Sequence, residues 1–551
     1  MKSNLPARRL IPKWRPIATT LQSPDAVPIT VAPSQPLMGD HEELDRAIQH
    51  WRQNKTPGAL GDVLSFGVHQ DLAETVAALG YEALKSGTTV TPVQQLLIQD
   101  IAKHQGLIPA PFEGAVPSSD NQHPFQAPIR AVRALLKSAP DNALALLDYA
   151  QFQAAVGRLQ RAERAIRTAL DLRPDNRLVL RTAARFFVHA GKADVGHALI
   201  RRHARTATDP WLMASEIALA DVASTQSQFL SKGKRFLFNH KTLPAGQITE
   251  LAGAVSMAEL ASGNLKRARE TQRQALLAPN DNVIAQAVEL RGKLGLQLGG
   301  VTIERAIAAS SEARVLQAWV DAAPDDVAMY AREWHALEPF SSRPVQMLST
   351  LLAYRGDHEV ALRWIRAGLL ADPADHGLLI NLAYVLVLRK DYVAATEVLR
   401  RLRAMKLPEL EPFTLAAEGL IAYQQGAFAA GDQYYGAAVA LLDKMRRPEI
   451  SAYCLLNQAL AARDNDHPER EAILATASAV LKGSMSPDSA MLLKVRTEPQ
   501  IDGPAREEPA GRRLSQWVFD PMSNTLTERT GVTSVGAQGL IVKRGEANQK
   551  R

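Results

Sequence analysis

Small and apolar positions recur along this chain as paired helical stripes, each pair joined by a glycine and closed by a proline. Within residues 143 to 174, Leu146, Tyr149 and Ala150 fall on one face of a first helix. Gly157 frees a turn, and Ala162, Ile166 and Ala169 fall on one face of a second helix. Pro174 stops that helix, and Asp175-Asn176 supply turn and N-cap chemistry for the next. Residues 177 to 208 repeat the pattern with Leu180, Ala183, Ala184, Phe187, Gly191 and Ile200. The interval is 34 residues, from Pro140 to Pro174, from Gly157 to Gly191, and again from Pro339 to Pro373. A helix-turn-helix of this length cannot bury its apolar stripe alone, so neighbouring units must stack into one continuous core.

Further units follow at 342 to 373 (Leu348, Ser349, Gly356, Ala361, Ile365), 376 to 405 (Ala383, Ala395, Leu399) and 412 to 443 (Gly419, Gly426, Gly431, Tyr435, Ala438). Residues 247 to 279 fit through Gly263, Ala268, Ala275 and Pro279, while 211 to 244 and 284 to 338 are helical but off pattern. The small residues, the mid-unit glycine and the closing proline resemble the tetratricopeptide repeat family over residues 125 to 482. That resemblance implies an all-α, right-handed superhelical solenoid of antiparallel helix pairs, whose first helices line a concave groove that binds proteins. Gly157, Gly191, Gly356 and Gly426 are each expected between the two helices of a pair.

The flanks depart from this period. Residues 1 to 40 hold seven prolines and a basic cluster of Arg8, Arg9, Lys13 and Arg15 around Trp14, which predicts a disordered arm. Residues 41 to 124 read as a helical cap and a loop. Leu44, Ile48 and Trp51 make one stripe, Leu72, Val76, Leu79 and Leu84 another, and Thr91-Pro92-Val93-Gln94 a capping box before the 106 to 124 loop. From 483 to 551 a flexible tail is expected, with a small β-like hairpin at 515 to 543 built from Trp517-Val518-Phe519, Thr525-Leu526-Thr527 and Leu540-Ile541-Val542. This ribbon is similar to the opening of winged-helix domains of the response-regulator type, but Arg551 stands where a recognition helix would begin.

Composition narrows the function. An apolar fraction of 46% with only 5% aromatic residues suits stacked helices rich in alanine and leucine. The lone Cys454, between Tyr453 and Leu455-Leu456, cannot form an internal disulfide and reads as a buried small hydrophobe. His41-Glu42 and His358-Glu359 lack a second histidine at helical spacing, and Gly299-Gly300-Val301-Thr302 lacks the lysine of a phosphate loop. His189, His197, His203 and His335 read as exposed or satisfied rather than as ligands. No cofactor, no metal and no catalytic residue is expected. Neither an apolar run of membrane-spanning length nor a secretory h-region occurs, so a cytoplasmic protein is expected.

Charge gives one local signal. Between 158 and 205, twelve basic residues face four acidic ones, a local excess that exceeds the chain's net +7. Arg161, Arg164 and Arg167 fall opposite the apolar stripe of their helix and read as a solvated face. Arg177, Arg181, Arg185 and His189 recur every four residues on a first helix, and the resemblance places them in the groove. Such a ladder suits a partner's carboxylates or phosphates, with salt bridges to Asp148, Glu216 or Asp221 as the structural alternative. By the same register a second strip comprises Gln346, Met347, Thr350, Tyr354, Asn381, Tyr384 and Phe413. Of the polar groove positions that clamp a chaperone's C-terminal carboxylate in some family members, only Asn381 is matched; Gln346, Thr350, Phe413 and Ala417 stand at the others.

The expected function is a non-enzymatic adaptor that holds one or more proteins, including acidic segments, in its groove. The alternatives are nucleic-acid binding through 158 to 205 and the arm, or an effector head within 41 to 124.

Overall fold

The computed structural model describes residues 40–69, 73–86, 90, 98, 125–239 and 245–497, together with strands at 517–520 and 525–528. The basic arm before residue 40, the capping box at 91 to 94, the 106 to 124 loop and the Leu540 to Val542 segment lie outside these residues.

From residue 143 onward the chain is a succession of two-helix hairpins. Ala143–Ala155 pairs with Leu159–Leu172, Arg177–His189 with Ala193–Arg202, and Pro210–Val222 is followed by Leu230–Asn239. Ala245–Ala261 pairs with Leu265–Ala275, Asp281–Leu294 with Val301–Ala309, and Ser311–Val320 with Pro324–Leu337. The last four pairs are Ser342–Arg355 with His358–Ala371, His376–Leu388 with Tyr392–Ala404, Glu411–Gln424 with Phe428–Lys444, and Pro448–Asp464 with Arg470–Ser484. First helices also touch the first helices of neighbouring units, which makes the array a solenoid.

The punctuation follows the sequence. Asn142, Asn176, Asp209, Asn280 and Asp375 each cap a first helix, accepting a backbone N–H with the side-chain oxygen. Gly157, Gly191, Gly263, Gly356 and Gly426 occupy the intra-pair turns in the left-handed region, with φ of 72°, 73°, 82°, 84° and 76°. In other hairpins that conformation is taken by Ser224, Ala322, Lys390 and Asp466, so the turn exists without its usual residue. The inward positions are as expected: Ala162, Ile166 and Ala169 are fully buried.

The two off-pattern stretches resolve into ordinary hairpins of unequal length. Ser311 follows Asp281 by 30 residues and Ser342 follows Ser311 by 31, so these units break the 34-residue register while keeping the architecture.

At the N-terminal end, helices Asp40–Asn54 and Pro57–His69 pack on the first repeats. Trp51, Leu60, Val63 and Leu64 share one core with Leu144, Leu147 and Val179. Arg173 Nε donates to both carboxylate oxygens of Asp62 at 2.7 Å, and Asn176 Nδ2 donates to Ser65 Oγ at 2.6 Å.

The solenoid also touches itself at long range. Phe340, which precedes the Ser342–Arg355 helix, belongs to the N-terminal core, and the carbonyl oxygen of Leu370 lies 2.5 Å from where a Cβ on Gly157 would stand. At the other end, the sequence reading stops helical order near 483. The chain instead runs into a further helix, Pro487–Thr497, opened by a proline in its first turn and by Ser486, whose Oγ accepts from Ser489 N. Trp517–Asp520 and Thr525–Glu528 pair antiparallel, Phe519 opposite Leu526.

Candidate protein-interaction groove

The basic ladder is placed inside the protein. Every residue of the Arg177–His189 helix from Arg177 to Val188 is buried, because the unit is covered by its neighbours, by the N-terminal helices and by Phe340. Arg177 Nε donates to Asp209 Oδ2 at 2.6 Å. Arg181, 2% exposed, lies 3.5 Å from Glu250 Oε1 with its guanidinium 4.5 Å from the Trp211 ring centre. Burial pulls that guanidinium down to about 10, against the raising influence of Glu250. Arg185 stands 5.9 Å from the Phe340 ring, and the His189 ring meets Phe340 edge-on at 5.4 Å. The ladder therefore bonds within the chain, as the salt-bridge alternative supposes, and its partners include Asp209 for Arg177 and Glu250 for Arg181. His197, not an arginine, takes Glu216, at 3.0 Å. Arg161 and Arg164 are exposed, as the solvated-face reading requires.

The second strip is brought together. Thr350, Tyr354, Asn381, Tyr384 and Phe413 all line one cavity of about 110 Å³ enclosed by the first helices Ser342–Arg355, His376–Leu388, Glu411–Gln424 and Pro448–Asp464. Gln346 and Met347 do not line it. Gln346 Nε2 instead donates to Asp375 Oδ1 at 2.6 Å, an approach possible because Gly377 presents no side chain, and Met347 packs on the neighbouring core.

Curvature closes the cavity. Tyr354 and Tyr453 hydroxyls hydrogen-bond to each other across the groove, joining the first helices of units three apart. Asn381 Nδ2 donates to Gln346 O at 3.0 Å, Ser349 Oγ at 3.0 Å and Thr350 Oγ1 at 2.9 Å. Those acceptors fix the orientation of the amide and leave Oδ1 without a donor among the described residues. The remaining wall is apolar, with Leu399, Leu402, Ala417 and Leu420, and it includes Tyr435 and Cys454. Burial pushes Tyr384 up to about 12 and raises Tyr354 and Tyr435 well above the usual phenol value, so these rings stay neutral. Burial likewise pushes the Cys454 thiol up to about 12, which keeps it un-ionised and poorly nucleophilic.

Sequence reasoning missed Tyr435, Tyr453 and Asn457. Tyr453 and Asn457 sit on the first helix of the last pair, in the same register as Phe413 and Asn381, and extension of the strip by one more unit would have found them. Tyr435 comes from a second helix and reaches the cavity past Gly419. Among the described residues no group of three or more His, Cys, Asp or Glu is placed to hold a metal ion, and no helix is long and apolar enough to cross a membrane.

No family model matches the chain, and no curated protein matches it. Among solved structures it is similar to yeast Tom70, at 15% identity and a TM-score of 0.29, over 65% of this chain and 81% of that one. It is similar to Naa15/Naa10 bound to HypK-THB at 12% identity and a TM-score of 0.22, over 83% and 76% of the two chains. The P58(IPK) TPR domain follows at 15% identity and a TM-score of 0.17, over 66% and 95%. The glycine-turned hairpins, the capped first helices and the contacts between first helices of successive units make the chain a tetratricopeptide-like helical solenoid.

Proposed function

We propose that this chain is a non-enzymatic adaptor that holds a protein partner on the inner face of its C-terminal half, in the cytoplasmic setting expected from its sequence. The observation that carries the reading is the convergence of Thr350, Tyr354, Asn381, Tyr384 and Phe413, drawn from three units, on one aromatic-walled cavity. A concave apolar surface with a few oriented polar groups is what an anchoring side chain of a partner requires. The rival reading, nucleic-acid binding through 158 to 205 and the arm, is disfavoured because Arg177, Arg181 and Arg185 of that region are buried and engaged within the chain. An effector head in 41 to 124 is disfavoured by the core that Trp51 and Leu60 share with the first repeats.

The test is quantitative affinity capture with the full chain against its Phe413→Glu variant. Phe413 is only partly buried, so the substitution spoils the cavity mouth while leaving the helix pair in place. The expected result is a set of proteins depleted at least about ten-fold by the variant at unchanged melting temperature. An identical captured set from both chains would refute the groove reading.

A further inference from the structure

The Pro487–Thr497 helix does not extend the stack. Its principal contacts are with the first helices Ser311–Val320 and Ser342–Arg355 of two consecutive units and with Pro448–Asp464, three units further along the chain. Two of these helices, Ser342–Arg355 and Pro448–Asp464, also meet through the Tyr354 and Tyr453 hydroxyls on the inner side of the superhelix. The helix therefore lies where a ligand of the groove would lie.

Its contact face has a helical ligand's spacing. Asp488, Met491, Leu492, Val495 and Arg496 stand at i, i+3, i+4, i+7 and i+8. Met491 and Leu492 are buried in the core that contains Val315, Leu348 and Leu456, and Val495 packs against it. Polar contacts fix both ends. Trp319 Nε1 donates to Asp488 Oδ1 at 2.8 Å, and Arg496 forms an ion pair with Asp464. Ser489 is also fully buried and Leu493 packs against the same core, while Pro487 and Lys494 are exposed.

We infer that the groove walled by 311–320, 342–355 and 448–464 is a receptor for a partner's amphipathic helix, with the chain's own Pro487–Thr497 helix as its resident competitor. The chemistry of the partner is set by what the resident offers. It carries a carboxylate in its first turn for the Trp319 indole, apolar side chains three, four and seven residues later, and a guanidinium at the eighth for Asp464. The resident is a short helix with few fully buried side chains, so a partner with the same face and a longer apolar stripe displaces it. This inference rests on the adaptor reading; it shares the Ser342–Arg355 and Pro448–Asp464 helices with the Phe413 cavity but uses other side chains of theirs, such as Leu348 and Leu456.

The test uses the full chain and a fluorescent synthetic peptide of residues 485 to 498. In the wild type the tethered helix competes at an effective concentration of order millimolar, so the peptide should bind negligibly. In the double variant Met491→Asp, Leu492→Asp the groove is vacated, and the peptide should bind at least about ten-fold more tightly than to the wild type. A peptide carrying the same two substitutions should not bind. A folded double variant that binds the peptide no better than the wild type overturns the inference. So does a variant that loses its cooperative fold, because the helix is then part of the core rather than an occupant. Hydrogen exchange on the wild type gives an independent reading. Amides of 489 to 497 should exchange at least about ten-fold faster than those of the Pro448–Asp464 helix beneath them, since the occupant opens by itself, and equal protection would overturn it. Failure here leaves the Phe413→Glu capture result standing, and failure there leaves the peptide result standing.

Discussion

Replacing Gly431 by alanine would put the new carbon 2.2 Å from Cδ1 and 2.4 Å from Cε1 of Tyr423, and 3.1 Å from the carbonyl oxygen of Gly419. The Tyr423 ring cannot swing aside. It is 1% exposed, lies 5.4 Å from the Tyr435 ring and 5.0 Å from the His467 ring, and its hydroxyl donates to Asp432 Oδ1 at 2.5 Å. The contact is reciprocal, since a Cβ on Gly419 would meet Tyr435 at 2.7 Å, so each helix of the pair lodges a tyrosine against the other's glycine. Overpacking a filled site costs about 1 to 3 kcal/mol, and alanine in place of a helical glycine returns about 1 kcal/mol. With a ring and a backbone carbonyl both obstructing, the upper end of the first range applies, and the net loss is about 2 kcal/mol. Gly436 provides the internal control, because it lies on the same helix and has nothing within 4 Å of its would-be Cβ. There the same exchange should stabilise by about 0.5 to 1 kcal/mol. The assay is urea unfolding followed by circular dichroism, with hydrogen exchange over 411 to 444 as the local readout, since a repeat array need not unfold in a single step. A Gly431→Ala variant as stable as the wild type, or two variants shifted in the same direction, would refute the interlocked packing.

Two further expectations follow from buried charge. Arg181→Glu sets a carboxylate against Glu250 in a site 2% exposed and should cost about 3 to 5 kcal/mol, whereas Arg161→Glu, on an exposed face, should cost less than about 0.5 kcal/mol; equal shifts in thermal midpoint would show the ladder to be solvated after all. Burial lowers His335 from 6.5 to about 4, so the folded state disfavours its protonation. The unfolded chain then binds more protons between those values, and the His335 contribution is complete above pH 6.5 and is lost on acidification towards pH 4, by about 3 kcal/mol. His335→Gln should flatten that part of the stability profile measured by denaturant titration at each pH, and an unchanged slope would contradict the assignment.

The repeat was legible wherever glycine and proline mark it, because a left-handed turn selects glycine and a stopped helix selects proline. It was illegible where Ser224, Ala322 and Asp466 adopt the same turn, since those residues carry no local signature of it, while the unit turned by Lys390 was legible from Ala383, Ala395 and Leu399 alone. The units starting at Asp281 and Ser311 were missed for a second reason, that their shorter length shifts the register. The cavity residues were recoverable because first-helix positions repeat with the unit, so Tyr354, Asn381 and Tyr384 fall on one face whatever the details of curvature. Curvature itself was not recoverable. Arg181 looks like a groove residue until Trp211 and Glu250 arrive from later units, and Arg185 until Phe340 arrives from the far half of the chain. The Pro487–Thr497 helix was lost among charged and proline-rich neighbours because its apolar face holds little more than Met491, Leu492 and Val495.

The touch between Gly157 and Leu370, and between His189 and Phe340, changes the kind of object the solenoid is. An open array of stacked units behaves as a spring, each coil answering only to the next, and it stretches or frays from either end. Here coils separated by 151 residues at one contact and 213 at the other are fastened together. The fastening fixes the pitch of everything between them, so that damage near residue 157 is felt near residue 370 and the intervening units melt as a block. It also makes assembly depend on contacts distant in sequence, which slows folding. For a ligand the effect is favourable: an inner face whose curvature is already set demands less ordering on association, and more of each contact appears as affinity.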